Sequence, residues 1–167
     1  MATIIVATDG SDAATRAADV GFKLAGQTGD HVAIVVVRDL IRGSLGLPFA
    51  YYDQHFLDAD LDRAKEVLAA AAARAAELDI DAEPVLVEGE PVAEICRMAR
   101  DRDARLIVIG AHGWGVMRAF IHGSIASGIL RYAPCPVLCG APGTREQLAA
   151  AEIAEGEELA RPTEQTS

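Results

Sequence analysis

Short aliphatic runs alternate with longer amphipathic stretches along this chain, and that alternation limits its possible folds more than any other feature. The aliphatic runs are rich in β-branched residues and span four to eight residues each, which is typical of buried strands. The stretches between them place apolar residues at three- and four-residue steps, which indicates helices that bury one face. Strands that alternate with helices predict a doubly wound α/β fold, in which helices cover both faces of a parallel sheet. The predicted strands are Thr3–Thr8, His31–Arg38, Ala82–Glu88, Arg105–Gly110 and Pro136–Cys139.

Capping residues and prolines predict where the other elements begin and end. Ser11 or Asp12 caps the first helix, and Gly29 ends it. Pro91 opens the third helix, because proline is favoured in a first turn. Pro84 places the third strand near an edge of the sheet, since proline has no backbone N–H to donate. The two remaining predicted helices are Leu57–Leu78 and Ser124–Tyr132.

Charge and hydropathy exclude several classes of partner. The 167 residues carry a net charge of −10, from 25 acidic and 15 basic residues. Proteins that bind nucleic acid or anionic membrane surfaces usually have the opposite sign, so neither is expected as a partner. No aliphatic run approaches the roughly 20 residues of a membrane span, and the N-terminus lacks the basic segment of a signal peptide. We therefore expect no membrane insertion and a cytoplasmic location.

No metal or redox site is expected. The three cysteines, Cys96, Cys135 and Cys139, form no C-x-x-C motif and lie in apolar surroundings, which predicts buried thiols. The four histidines lack the spacing of a metal site.

Two segments do not follow the alternation. Asp39–Phe56 has no clear period and holds four of the eight aromatic residues, so it forms a lid, an interface or a poorly ordered connection. Beyond Gly140 the composition changes, with six glutamates and two arginines in residues 144–167. We expect a domain over residues 1–141 and an acidic, partly disordered C-terminal tail over residues 142–167.

Ligands of doubly wound folds bind beyond the carboxyl ends of the strands, where the strand order reverses. Asp9 directly follows the first predicted strand, and a glycine-rich passage follows the fourth. That passage contains Gly110 and Gly113, and then Gly123 and Ser124 at the start of a helix. Glycine lets the backbone approach a ligand closely, and a helix N-terminus favours phosphate.

These residues also have a purely structural interpretation. The glycines then only turn the chain, Ser124 only caps a helix, and Asp9 only shapes a turn with Gly10. The features described so far leave both interpretations open.

The spacing G-x2-G-x9-G-S, formed by Gly110, Gly113, Gly123 and Ser124, resembles the ATP-binding branch of the universal stress protein family. Three further signatures of that family occur in this chain, in the order in which the family carries them. They are Thr8-Asp9-Gly10-Ser11, Gly89-x-Pro91 and Pro134-Cys135-Pro136-Val137-Leu138. The resemblance covers roughly residues 2–140.

The resemblance implies a Rossmann-like sheet of five parallel strands in the order 3-2-1-4-5. It also implies a bound ATP or other adenine nucleotide with Mg²⁺, and a homodimer through the edge of the fifth strand. Ala7 and Val37 would line the adenine pocket, and Asp9 would contact the ribose. The backbone beside the sugar and phosphates would be that of Ile109, Gly110, Ala111 and Gly113, and the phosphate cradle would be Gly123, Ser124, Ile125 and Ala126.

The function that follows from the resemblance is a nucleotide-dependent regulatory module of the stress response, with an unknown protein partner. A slow ATPase or a nucleotide-transferring enzyme is the alternative, for which His112 is the local candidate base; we assign no catalytic residue. A nucleotide-free interaction protein is a third possibility, which the intact glycine spacing disfavours. The chain lacks the G-x-x-x-x-G-K-[ST] motif of P-loop NTPases and the G-x-S-x-G motif of α/β-hydrolases.

Overall fold

The computed structural model describes residues 1–39, 54–110 and 124–140. The tail over residues 142–167 and most of the connection Asp39–Phe56 lie outside these ranges. In chain order the described elements are β1 (Thr3–Ala7), α1 (Asp12–Thr28), β2 (His31–Arg38), α2 (Gln54–Glu77), β3 (Ala82–Glu88), α3 (Pro91–Asp101), β4 (Ala104–Gly110), α4 (Ser124–Tyr132) and β5 (Val137–Gly140).

The five strands form one parallel sheet in the order β3-β2-β1-β4-β5, which confirms the predicted fold class. The edge position predicted for Pro84 is also confirmed, because β3 is an edge strand. The chain leaves β1 in one direction to form β2 and β3, and then returns to the other side of β1 to form β4 and β5. The strand order therefore reverses between β1 and β4, where folds of this kind bind ligands.

Two hydrophobic clusters, one on each face of the sheet, hold the helices. On one face α1 and α2 contribute Phe22 and Ala75, both fully buried. On the other face α3 and α4 contribute Ile95 and Ile129. Successive side chains of a strand point to opposite faces, so a strand that is covered on both sides must be aliphatic throughout. This is the physical origin of the aliphatic runs in the sequence.

The helix boundaries follow the predicted signals closely. The Ser11 side chain accepts a hydrogen bond from the Ala14 N–H at 3.2 Å, so Ser11 is the cap of α1. Gly29 ends this helix with a φ of 67°, a left-handed conformation that glycine adopts without strain. The largest difference is in α2, which begins at Gln54 rather than at Leu57.

The prediction of three buried thiols is confirmed fully only for Cys96, and it is wrong for Cys139. Cys96 is buried and Cys135 is half-buried, whereas Cys139 is exposed. Cys139 lies in β5, at the edge of the sheet, where fewer neighbours cover a side chain. Its apolar neighbours in the sequence carry no information about which strand is at the edge.

The N-terminal half of α1 lies directly on the carboxyl ends of β4 and β5, and two glycines allow this close approach. A Cβ atom at Gly110 would lie 2.6 Å from the backbone nitrogen of Ala14 and 2.8 Å from its Cα. A Cβ atom at Gly140 would lie 2.7 Å from the Cβ of Ala17. A helix backbone inside a packed core cannot move aside without cost, so both positions require glycine.

We expect Gly110→Ala to lower the free energy of unfolding by about 1–3 kcal/mol, because the added methyl group overpacks against the backbone of α1. Urea unfolding followed by circular dichroism measures the change. Gly26→Ala is the matched control, since a Cβ there would meet only the terminal Cδ1 of Ile80 at 3.1 Å. Alanine in this helix interior should be neutral or stabilising by up to about 1 kcal/mol. Equal unfolding free energies for the two variants would contradict the close contact of α1 with β4.

Asp30 connects several elements at the amino edge of the sheet. Its Oδ1 accepts a hydrogen bond from the Ala2 N–H at 3.0 Å, and its Oδ2 accepts from the Thr28 hydroxyl and from Arg105 Nη1, both at 2.7 Å. The side chain of Asp30 is only 5% exposed. These hydrogen bonds lower the pKa of Asp30, and the bond from the Thr28 hydroxyl has the largest effect. Burial acts in the opposite direction and raises the pKa.

Stability should therefore decrease at acidic pH as Asp30 becomes protonated. A carboxyl group whose pKa is lowered by folding stabilises the protein above its unfolded pKa of about 3.9, and this contribution is lost as the pH falls through the folded pKa. We expect Asp30→Asn to lower Tm at neutral pH and to reduce the change in Tm between roughly pH 5 and pH 2. Thermal melts across this range test both effects.

Asp62→Asn is the control for this experiment. Asp62 is exposed on α2 and lies 4.0 Å from Lys65, so its removal should leave Tm at neutral pH close to that of the wild type. An Asp30→Asn variant with the acid sensitivity of the wild type would refute the contribution of Asp30.

Candidate functional site

The central strand β1 ends earlier than the strands on either side of it. Its ladder with β2 stops at the pair Ala7–Val35, and one further hydrogen bond joins the Thr8 N–H to the Val35 carbonyl at 2.9 Å. Strand β2 continues to Arg38. On the other side Val6 pairs with Val108, and β4 continues to Gly110. The result is a notch above β1, between the overhanging ends of β2 and β4, at the point where the strand order reverses.

Five of the residues expected to bind a ligand belong to one cluster at this notch, on the face covered by α3 and α4. Ile109 and Ala126 are buried members of the cluster, and Ala7, Val37 and Ile125 are half-buried and packed against it. Three of these residues end or nearly end neighbouring strands, and the other two lie in the first turn of α4. The fold therefore brings residues from β1, β2, β4 and α4 together into one apolar surface, and a planar ring can pack against such a surface.

Asp9 lies directly after β1, at the base of the notch, in a tight turn. Its Oδ1 accepts a hydrogen bond from the Ser11 N–H at 2.9 Å, and the Thr8 hydroxyl accepts one from the Gly10 N–H at 3.2 Å. Gly10 has a φ of 79°, which favours glycine. The structure thus shows the turn-shaping role that the sequence left open for Asp9. The same turn keeps the half-buried carboxylate at the carboxyl end of β1.

The residues expected to surround the phosphates are described only in part. Gly110 ends β4 and Ser124 begins α4, at the position that the sequence predicts. Both lie at the carboxyl side of the sheet, and the first turn of α4 presents backbone N–H groups that no preceding turn can satisfy. Ala111, Gly113 and Gly123 lie outside the described residues, as does His112.

Arg38 is a further residue at the carboxyl ends of the strands, beside the notch, and the sequence analysis did not select it. It ends β2 directly after Val37, and its side chain is only 6% exposed. The Nε atom donates to Asp60 Oδ2 at 2.8 Å, Nη2 donates to the Leu57 carbonyl at 3.2 Å, and Nη1 donates to Glu88. The signal in the sequence was a charged residue that closes a run of aliphatic ones.

Other chemistries find little support in the described residues. Burial raises the pKa of Cys96 and of Cys135, so both are protonated at neutral pH and are poor nucleophiles. Within residues 1–39, 54–110 and 124–140, no group of three His, Cys, Asp or Glu side chains is placed to hold a metal ion. Among the helices described, none is long and apolar enough to cross a membrane.

Known proteins resemble the chain over most of its length. A model of the universal stress protein family matches residues 1–139. Universal stress protein YxiE of Bacillus subtilis is 30% identical over 141 residues, which cover 81% of this chain and 95% of the relative. A universal stress protein of Thermus aquaticus is 36% identical over 136 residues, which cover 81% of this chain and 96% of the relative.

Solved structures share the fold. The universal stress protein from Archaeoglobus fulgidus in complex with dAMP is 28% identical, with a TM-score of 0.62 over 84% of this chain and 98% of that one. UspA from Lactobacillus plantarum is 24% identical, with a TM-score of 0.71 over 84% and 97%. A universal stress protein in complex with cAMP is 24% identical, with a TM-score of 0.60 over 83% and 94%. With the family model covering residues 1–139, these matches show that the chain belongs to the universal stress protein family.

Proposed function

We propose that this protein binds an adenine nucleotide in the notch above β1. The base packs against Ala7 and Val37, the ribose hydroxyls donate to Asp9, and the phosphates lie beside the backbone of Ile109 and Gly110 and the N-terminus of α4. The observation that carries the proposal is the early end of β1, because it opens an apolar recess next to a carboxylate and a helix N-terminus. The dAMP complex of the Archaeoglobus relative supports the choice of an adenine nucleotide.

The residues present fit such a ligand. Adenine needs a flat apolar surface, and the half-buried Ala7, Val37 and Ile125 leave part of their surface uncovered at the edge of the cluster. On the opposite face, the missing side chain at Gly110 lets the end of β4 lie against α1. The glycine therefore serves the packing of α1 directly, and its backbone borders the notch.

We propose ATP, together with Mg²⁺, as the physiological ligand. Support comes from the spacing of Gly110, Gly113, Gly123 and Ser124, which resembles that of the ATP-binding branch of the family. The cradle would comprise these four residues with the backbone of Ala111 and the first turn of α4. Mg²⁺ would enter bound to the phosphates, because it keeps several waters and needs few protein ligands.

We propose that ATP binding regulates this protein's affinity for a protein partner in a stress response. Such regulation requires only that the protein have two conformations, and that the nucleotide favour the conformation to which the partner binds more tightly or more weakly. The enzymatic alternative, ATP hydrolysis or nucleotide transfer, depends on His112 as a base, and that residue lies outside the described part of the chain.

We expect the wild-type protein to bind ATP with micromolar affinity, or about −8 kcal/mol, and Ala7→Leu to weaken binding at least about tenfold. The larger side chain would occupy the surface proposed for the base, at the end of β1. Isothermal titration calorimetry measures both affinities, and mass spectrometry of gently purified protein tests for a retained nucleotide.

Ala73→Leu is the matched control, since the same substitution there falls on an exposed position of α2. It should bind ATP like the wild type. Absence of ATP binding by the wild type would overturn the proposed function, and normal binding by Ala7→Leu would overturn the proposed position of the base.

We propose that two copies associate through the edge of β5. In the described part of the chain β5 pairs with β4 alone, so one side of its backbone has no ladder. Pro84 and two exposed glutamates in β3 make the opposite edge a poor partner for another strand. Light scattering should give twice the 17.6 kDa mass of one chain, and Cys139→Pro, which removes a donor from the side of β5 that faces away from β4, should shift the mass toward that of a monomer. A monomer at all concentrations would contradict this arrangement.

Two further features remain proposals from the sequence. Residues 1–141 form the universal stress protein domain and residues 142–167 form the acidic tail. The location of the protein is the cytoplasm.

A further inference from the structure

The overhanging end of β2 forms one wall of the notch, but β1 does not support it. Val36, Val37 and Arg38 lie beyond Val35, the last residue of β2 that pairs with β1. On the other side this end is held by β3, through the pairs Val37–Val87 and Arg38–Glu88. The Gly89 N–H adds a last hydrogen bond to the Arg38 carbonyl at 3.0 Å. The wall is thus a two-stranded extension, and a polar contact with a neighbouring helix adds to the packing of Val36 and Val37 in fixing its position.

The Arg38 side chain supplies that contact. It points to the face covered by α1 and α2, opposite to Val37, because neighbouring residues of a strand face opposite sides. Its guanidinium group joins three partners on two elements: the Leu57 carbonyl and Asp60 on α2, and Glu88 at the end of β3. One side chain therefore ties the overhang of β2 to the first turns of α2 and to the neighbouring strand.

Only arginine can make this set of contacts. The Nε, Nη1 and Nη2 atoms each donate to a different acceptor, and the planar group holds the three donors in fixed directions. Lysine carries a single ammonium group and cannot span three acceptors on two elements. Because the Arg38 side chain is only 6% exposed, water competes weakly for these contacts.

We propose that Arg38 is a positioning residue that holds Val37 against the base of the nucleotide. The inference rests on the proposed function, and it assigns control of base affinity to a residue that does not touch the ligand. Its effect is confined to the base side of the site, because Gly110 and Ser124 belong to other elements on the far side of β1.

The test measures the affinities of Arg38→Met and of the wild type for adenosine, AMP, ATP and inorganic tripolyphosphate by calorimetry. We expect Arg38→Met to bind adenosine, AMP and ATP about tenfold more weakly, by the same factor for each, because contacting groups couple by amounts of this size. Binding of tripolyphosphate should not change. Arg38→Lys should behave like Arg38→Met, since lysine does not restore the three contacts.

Folding should survive the substitution, because Asp60 and Glu88 are 35% and 62% exposed and stay hydrated without Arg38. Glu88→Gln provides a second, milder variant, since Arg38 then keeps Asp60 and Leu57. This variant should bind adenosine, AMP and ATP more weakly by a smaller factor of about two to three, which is the same for each ligand. Arg105→Met is the control. Arg105 lies near the amino end of β4, far from the notch, and the substitution removes its ion pair with Asp30. It should leave all four affinities unchanged.

The outcomes separate this inference from the proposed function. If the wild type binds none of the adenine ligands, the proposed function and the inference both fail. If the wild type binds them and Arg38→Met binds them equally well, only the inference fails. A loss that increases with the number of phosphates, or an equal loss in Arg105→Met, would show a general structural role and overturn it as well.

Discussion

The central strand of the sheet is shorter at its carboxyl end than both of its neighbours, and the candidate site depends on this difference in length. If β1 continued beyond Ala7, its backbone would pair with Val36 and Val37 on one side and with Gly110 on the other, and no recess would exist between them. The turn at Asp9 and Gly10 ends the strand instead, and it directs the chain into α1 on one face. A single turn thus creates the recess and places a carboxylate at its base.

Most of the fold could be predicted from the sequence, because each strand is covered on both faces and must therefore be aliphatic. β2, β3 and α4 have the bounds that periodicity and capping signals indicate. The strand order came from the family resemblance, since aliphatic runs alone do not distinguish the central strand from an edge. Cys139 shows the same limit, as its apolar neighbours indicate burial although its strand lies at the edge.

The candidate site could be predicted less completely, because it depends on where strands end relative to one another. The family resemblance selected Ala7, Val37 and Ile109, which the fold brings to one face of the sheet. It did not select Arg38, whose partners are 19 to 50 residues away in the chain and become neighbours only through the register of β2 with β3 and the docking of α2. Contacts of this kind leave no local pattern in a sequence.

The glycine contact between β4 and α1 also limits how the selectivity of the proposed nucleotide site can change. A Cβ at Gly110 would lie 2.6 Å from the backbone nitrogen of Ala14, so the α1 side of the recess has no room for a larger side chain. The opposite side is lined by half-buried aliphatic side chains, which shorten or lengthen by single methyl groups without disturbing a backbone. Divergence toward bulkier or smaller bases is therefore open to evolution, and to protein engineers, on the α3 and α4 side alone.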